Sequence, residues 1–288
     1  MLALLLAAAP AGTAAPAPAP PATAFAEVVA AERSFAADSP AKGLHEAFLA
    51  HLADDSVVFQ PLPTPGIAAH QGKPRAPGVL SWAPAWVAAA SSGLAFSTGP
   101  WEYRPNDPAE TPRTGWFFSV WAKQPSGDWK VKADFGVGCP LTYAKPPDVI
   151  DGNPPETAPA PLTPKDLARA RARLNADESR LDRAGESGIG AAVLAHADPG
   201  LRAYREGTCP ASGLEAARAV LEKDVRKLAC KPQRIELAPA GDLGFAYGTC
   251  ETREGDPGKT GFLRTWRRGE DGAFRVLADI VAEVPGRK

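Results

Sequence analysis

Gly93-Leu94-Ala95-Phe96-Ser97-Thr98-Gly99-Pro100-Trp101-Glu102 is answered later in the chain by Asp242-Leu243-Gly244-Phe245-Ala246-Tyr247-Gly248-Thr249-Cys250-Glu251. Around this pair the correspondence extends. Trp121, Gly127, Trp129, Val131, Ala133 and Asp134 return as Trp266, Gly272, Phe274, Val276, Ala278 and Asp279, a constant 145 residues further on. The same spacing of 145 relates Phe48-Leu49-Ala50-His51 to Val193-Leu194-Ala195-His196. The 288-residue chain is therefore two diverged copies of one fold, and a repeat of this kind sets the domain organisation before any other reading.

Composition bounds the rest. Two domains of roughly 100–150 residues can each bury a core. A net charge of −1 argues against a nucleic-acid partner, which calls for a basic surface. Arg169, Arg171, Arg173, Arg180 and Arg183 alternate with Asp166, Asp177, Glu178 and Asp182, the pattern of a solvated helix face. Residues 1–24 carry no charge and open on a short apolar run followed by Ala-Pro-rich sequence. That run is too short to span a bilayer and reads as a secretory signal peptide, so the chain is expected to be periplasmic or secreted, without stable membrane insertion.

The domain boundaries follow. Residues 25–144 form the first domain, 145–164 a proline-rich linker and 165–286 the second domain. Pro146, Pro147, Pro154, Pro155, Pro159, Pro161 and Pro164 make the linker semi-rigid. Thr163-Pro164-Lys165-Asp166 has the form of a helix start. In the first domain, helical spacing marks Phe25–Ala37 and Gly43–Ala53, and a strand covers Ser56–Gln60. Strands are expected near 86–91, 94–104, 114–123 and 128–137. In the last of these, Trp129, Val131, Ala133 and Phe135 are expected on one face and Lys130, Lys132 and Asp134 on the other. The second domain repeats the plan, with Leu201–Arg205, a helix at Gly213–Lys223 and strands near 232–238, 243–253, 260–268 and 273–283. Helices followed by an antiparallel sheet define an α+β class.

The run Ala31-Glu32-Arg33-Ser34-Phe35-Ala36, then Lys42-Gly43, Phe48-Leu49 and Leu52-Ala53-Asp54-Asp55-Ser56-Val57-Val58-Phe59 resembles the nuclear transport factor 2-like superfamily. Within it, the closest branch is the SnoaL-like group and its domains of unknown function. The ending Val120-Trp121, Gly127-Asp128-Trp129-Lys130-Val131 and Asp134 is similar to that family's closing hairpin. The second copy departs where Ala197-Asp198-Pro199-Gly200 replaces Leu52-Ala53-Asp54-Asp55. The resemblance implies tandem cones, each a curved sheet wrapped round about three helices with a pocket at its wide end. It also implies pairing through the sheets, as an intrachain pseudo-dimer or a homodimer.

Three motifs are weighed and set aside. Gly255–Thr260 lacks the first glycine of a phosphate loop, since Arg253 stands there. Ser39-Pro40-Ala41-Lys42 and Lys259-Thr260-Gly261 match two signatures of penicillin-recognising serine enzymes. No Ser-Asp-Asn lies between them, and Ser39–Lys42 is expected in the link between two helices. His51 and His196 share a repeat position and are weak candidates for a general base; their expected role is structural. Asp134 and Asp279 also share a position, where a carboxylate in an apolar cup would have a raised pKa; a rim ion pair is the plainer expectation. His45 and His70 have no counterpart and no evident partner.

Aromatic residues carry the ligand-binding expectation. Trp82, Trp101, Trp116 and Tyr103 in the first domain, with Tyr204 and Tyr247 in the second, are candidates for a pocket lining. Alternatively, Trp82, Trp101 and Trp116 cover the sheet face that packs against the other domain. The cysteines at 139, 209, 230 and 250 allow three pairings. A hairpin turning near Ala240-Gly241 brings Cys230 and Cys250 face to face, and Cys209–Cys230 is the rival. No spacing suggests a metal site, and no cofactor is implied. The expected function is an exported small-molecule-binding or interaction protein without evident catalytic machinery. An isomerase, dehydratase or cyclase acting on an apolar small molecule is the alternative, and serine acyl transfer comes last.

Overall fold

In the computed structural model, residues 23–90, 92–141, 148–152, 162–254 and 258–282 are described. The signal-peptide reading therefore falls almost wholly outside the described residues, as does most of the linker. The first copy begins with α1 (Ala24–Lys42) and α2 (Leu44–His51). Then come β1 (Leu52–Phe59), β2 (Pro63–Pro65), α3 (Gly66–His70), β3 (Gly78–Trp82), β4 (Trp86–Ala89), β5 (Leu94–Pro105), β6 (Arg113–Lys123) and β7 (Trp129–Gly138). Within the stretch read as linker, β8 (Ile150–Asp151) adds a short parallel strand beside β4. The second copy runs α4 (Pro164–Gly185), α5 (Ile189–Ala195), β9 (Ala197–Arg205), β10 (Thr208–Ser212), α6 (Leu214–Leu221), β11 (Leu228–Leu237), β12 (Leu243–Thr252), β13 (Lys259–Arg268) and β14 (Phe274–Val281).

The first sheet has the order β2-β1-β7-β6-β5-β4-β8, with β3 also paired to β5; the second has the order β10-β9-β14-β13-β12-β11. In both, the first long strand lies parallel to the last, and the remaining long strands are antiparallel. The architecture is thus α+β, a tandem of two curved sheets each wrapped round helices. Helix α1 buries Val28, Glu32, Phe35 and Ser39, spaced four, three and four residues apart, which is one face of a helix. Helix α4 buries Leu174, Glu178, Leu181 and Gly185, the same face 146 residues later. Thr163 caps α4, its hydroxyl accepting from the Asp166 N–H at 3.2 Å. Helix α1 extends past Ala37 to Lys42, so Ser39–Lys42 is its last turn rather than a link.

One feature of the sheets could not be read from alternation. Between β6 and β7 the register jumps: Val120 pairs with Ala133 but Trp121 pairs with Val131, leaving Lys132 as an extra residue. A bulge bends the strand and reverses which side chains point inward. Trp129 and Val131 therefore face the helices, whereas Ala133, Phe135 and Val137 face the other sheet. The expected single face for Trp129, Val131, Ala133 and Phe135 is corrected accordingly, and Asp134 is turned to the helix side. The second copy bulges at the same place, between Thr265 and Trp266.

The two copies pack sheet against sheet. Phe96, Phe118, Val120 and Phe135 of the first copy share one buried cluster with Tyr204, Phe245, Leu263 and Ile280 of the second. Burying a large apolar side chain in this way contributes about 1.5–3 kcal/mol. The Tyr204 hydroxyl donates to Thr98 Oγ1 at 2.9 Å across the interface. Arg234 reaches Asp55 at 2.9 Å, and the Arg202 guanidinium lies 4.4 Å above the Trp86 ring. Disulfides join Cys139 to Cys209 and Cys230 to Cys250. The first ties the end of β7 to β10 of the other copy; the second bridges directly opposed residues of β11 and β12. The rival pairing of Cys209 with Cys230 is excluded.

Candidate functional site

The first cone holds a cavity of about 600 Å³ between α1, α2, the 73–80 segment and the concave face of β5–β7. Its walls are mainly apolar: Phe35, Phe48, Leu80, Trp82, Trp101 and Phe117 are among them, and Tyr103, Asp134 and His45 supply polar edges. Trp82 and Trp101 stand opposite each other on β3 and β5.

Asp134 is half-buried, with its open side toward the cavity. It accepts from the Ser119 hydroxyl at 2.6 Å. Burial raises its pKa to about 6, against the pull of that hydrogen bond. Behind the wall lies Glu32, fully buried on α1. Its two oxygens accept from Trp82 Nε1 at 2.7 Å, Ser97 Oγ at 2.5 Å and Trp121 Nε1 at 3.0 Å. Burial pushes its pKa up to about 7; the hydrogen bonds lower it and the nearby Asp134 raises it further. Two indole N–H groups can only donate, so the nest suits a carboxylate, while desolvation and the neighbouring Asp134 carboxyl oppose its ionisation.

His45 and His70 do have a partner: each other, Nδ1 to Nδ1 at 2.9 Å. His70 is buried and stacked on Phe48 with ring centroids 4.3 Å apart. Burial and the neighbouring His45 lower its pKa to about 4, so at neutral pH one ring donates and the other accepts.

The second copy presents the same positions differently. Arg264 stands 145 residues on from Ser119, fully buried. Its Nε donates to Asp279 at 2.9 Å; its Nη1 reaches Glu178 and, at 3.3 Å, Asp182. Arg205 binds the other Asp279 oxygen at 2.7 Å. Burial pushes Glu178 and Asp182 up while Arg264 pulls them down, and the surrounding carboxylates hold the Arg264 pKa above its usual range. Trp266 Nε1 donates to Glu178 at 2.7 Å, as Trp121 does to Glu32. The Trp82–Trp101 pair is replaced by Cys230–Cys250, and His45 by Gly190. A Cβ on Gly190 would meet the Leu221 carbonyl at 1.9 Å, so the 221–224 turn lies directly on α5. In the second cone the buried Arg264 guanidinium thus occupies the space beside Asp279, and the 221–224 turn packs directly against α5.

The sequence-derived candidates separate cleanly. Trp82, Trp101, Tyr103 and Asp134 are brought together around the cavity. Trp116, Tyr204 and Tyr247 belong to the sheet–sheet core, not to the cavity, because their strand positions point to the convex side. His51 is the last residue of α2, stacked on Phe35 and held by Asp38 at 3.0 Å. His196 is bound to the Ala192 carbonyl at 2.9 Å. Asp279 is locked between Arg205 and Arg264. Ser39 donates to the Leu80 carbonyl at 2.7 Å and Lys42 pairs with Asp38 at 2.9 Å, so neither is arranged as nucleophile and base. Glu32, Ser119 and the His45–His70 contact went unrecognised as site groups. Glu32 could have been found from the charged residue it shares, at helical spacing, with Glu178.

No family model matches the chain, and no curated protein matches it. Among solved structures the chain is similar to a protein of the nuclear transport factor 2-like type with a cystatin-like fold from Novosphingobium aromaticivorans. That match is 18% identical, spans 43% of this chain and 87% of the other, and has a TM-score of 0.34. A ketosteroid isomerase-like protein from Erwinia carotovora atroseptica is 16% identical over 43% of this chain and 100% of its own, with a TM-score of 0.34. A Catenulispora acidiphila protein solved in complex with S-DNPA is 17% identical over 40% of this chain and 93% of its own, TM-score 0.33.

Proposed function

We propose that this chain binds an apolar small molecule in the first cone, and that the second cone is a plugged scaffold that holds the first in shape. The observation that carries this is the contrast at one repeat position. In the first copy the small Ser119 bonds only Asp134, which lines a cavity of about 600 Å³, whereas in the second Arg264 is fully buried among three carboxylates. The volume is that of ordinary ligand sites, which are concave, mostly apolar and furnished with a few polar groups. Export from the cytoplasm is part of the proposal; two disulfides are compatible with an oxidising compartment. Among the described residues, no helix is long and apolar enough to cross a membrane.

The test uses the neutral fluorophore 1-N-phenylnaphthylamine, followed by quenching of Trp82 and Trp101. Gly136 lines the cavity, and a Cβ there would touch only Trp101, at 3.5 Å. Gly136→Trp should therefore fill the space without a backbone clash and abolish binding. Equal affinity in both proteins would reject the cavity as the site.

A second reading, proton transfer within the same cavity, is favoured by Asp134. A carboxylate with a pKa near 6 at an apolar wall can take a proton from carbon next to a carbonyl and return it elsewhere. Solvent deuterium incorporation into enolisable ketones, rising with an apparent pKa near 6 and absent in Asp134→Asn, is its expected signature. No incorporation by the wild-type chain would leave binding alone.

A further inference from the structure

The cavity is apolar inside, but its mouth is not neutral. Lys73 and Arg75, on the segment between α3 and β3, and Arg113, at the start of β6, all line it and are all exposed. Three cations at one opening contrast with a chain whose net charge is −1. Among the described residues, none of the three is in an ion pair with a carboxylate. Two acids close in sequence or space to Arg113 are engaged elsewhere: Glu102, opposite Thr114, takes Arg104 at 2.6 Å, and both oxygens of Glu206 accept from the Gly138 N–H at 3.1 Å. Arg113 is nonetheless positioned, its guanidinium 4.8 Å above the Tyr103 ring at the cavity edge. Asp134, which also lines the cavity, is paired with Ser119, six residues along β6 from Arg113.

We infer that the ligand is an amphipathic anion: an apolar ring or chain that enters the cavity, with one carboxylate, sulfate or phosphate head held at the mouth by Lys73, Arg75 and Arg113. This rests on the cavity reading above and adds the substrate class and the orientation. Rim cations attract an anion, and guanidinium groups match oxyanion geometry. The interior carboxylate repels the same head, so the molecule has one favourable orientation, head out and apolar body in. Because Asp134 titrates near pH 6, that repulsion is present at pH 7.5 and weakens below pH 6.

The experiment compares 8-anilinonaphthalene-1-sulfonate with 1-N-phenylnaphthylamine, two probes that share their ring system and differ in the sulfonate. Both are titrated at low ionic strength into the full disulfide-bonded chain, into the triple variant Lys73→Ala/Arg75→Ala/Arg113→Ala and into Gly136→Trp. All three removed side chains are exposed, so the triple variant keeps its core. The sulfonate should bind the triple variant about tenfold more weakly than wild type, from three exposed ion pairs of modest strength each, while the neutral probe changes less than about twofold. Added salt should weaken only the sulfonate. Sulfonate binding that the triple variant leaves unchanged, or that survives Gly136→Trp, overturns the inference. Equal losses for both probes also overturn it, since the three side chains would then act by packing. If the neutral probe fails to bind wild type, the cavity reading itself falls, which separates the two failures.

Discussion

Replacing Arg264 by serine, the residue at its position in the first copy, should remove the plug from the second cone at a heavy cost. Arg264 has no solvent exposure and its single positive charge is shared among Glu178, Asp182 and Asp279. Without it, Arg205 still reaches Asp279 at 2.7 Å, but Glu178 and Asp182 lose the cation. Removing one partner of a buried pair costs about 3–5 kcal/mol, because a charge is left unpaired in a medium of low dielectric. For a cooperative unit of this size that corresponds to a fall in Tm of roughly 6–20 °C. Urea unfolding followed by tryptophan fluorescence measures it. Arg264→Met, which keeps most of the volume and loses the charge, should be nearly as damaging. Loss of the cation raises the folded-state pKa values of the stranded acids. Each then carries a penalty that is present at neutral pH and disappears as it takes a proton, so the deficit should shrink on going from pH 7 to pH 5. A loss below about 1 kcal/mol, or full rescue by methionine, would refute the idea that charge compensation holds this cone together.

The reciprocal exchange, Ser119→Arg, should seat a guanidinium beside Asp134 and Glu32 and abolish binding of the neutral probe without lowering Tm; unchanged affinity counts against it. Glu32 has a folded-state pKa of about 7 against an ordinary 4.5, so its neutral form favours the folded state. The contribution is complete below pH 4.5 and about 3 kcal/mol of it is lost by pH 7 and above. Wild type should lose that much relative to Glu32→Gln over this range, whereas parallel pH profiles would contradict it. Comparing the variant with wild type cancels the opposing effect of His70, whose lowered pKa makes stability rise between pH 4 and 6.5. Cys139→Ser combined with Cys209→Ser removes the tie between copies across 70 residues and should cost about 2–5 kcal/mol, read as a lower urea midpoint; no change would mean that the sheet interface alone sets the stability.

The repeat spacing carried most of the fold. Matching Trp121 with Trp266 and Asp134 with Asp279 sufficed to place two equivalent sheets, and the hairpin turning near Ala240-Gly241 brought Cys230 opposite Cys250. The site was harder to read, for three physical reasons. The bulge at Lys132 reverses side-chain direction within one strand, so plain alternation put Asp134 with Lys130 and Lys132 rather than in the cavity. His45 and His70 meet only because α3 folds back over α2, which no local pattern encodes. The decisive contrast, Ser119 against Arg264, was present at the repeat spacing, but serine and arginine at one strand position mean little until both are seen to point into a cone. Tryptophans were ambiguous for the same reason: Trp101 and Trp116 lie on adjacent strands, yet one lines the cavity and the other the sheet–sheet core.

The claim at the centre of this account is that one cone is open and the other is filled. Native mass spectrometry of the disulfide-bonded chain, titrated with 1-N-phenylnaphthylamine, counts the sites directly. One equivalent bound by wild type, and none by Gly136→Trp, is the predicted result. Two equivalents, or one that persists in Gly136→Trp, would contradict it.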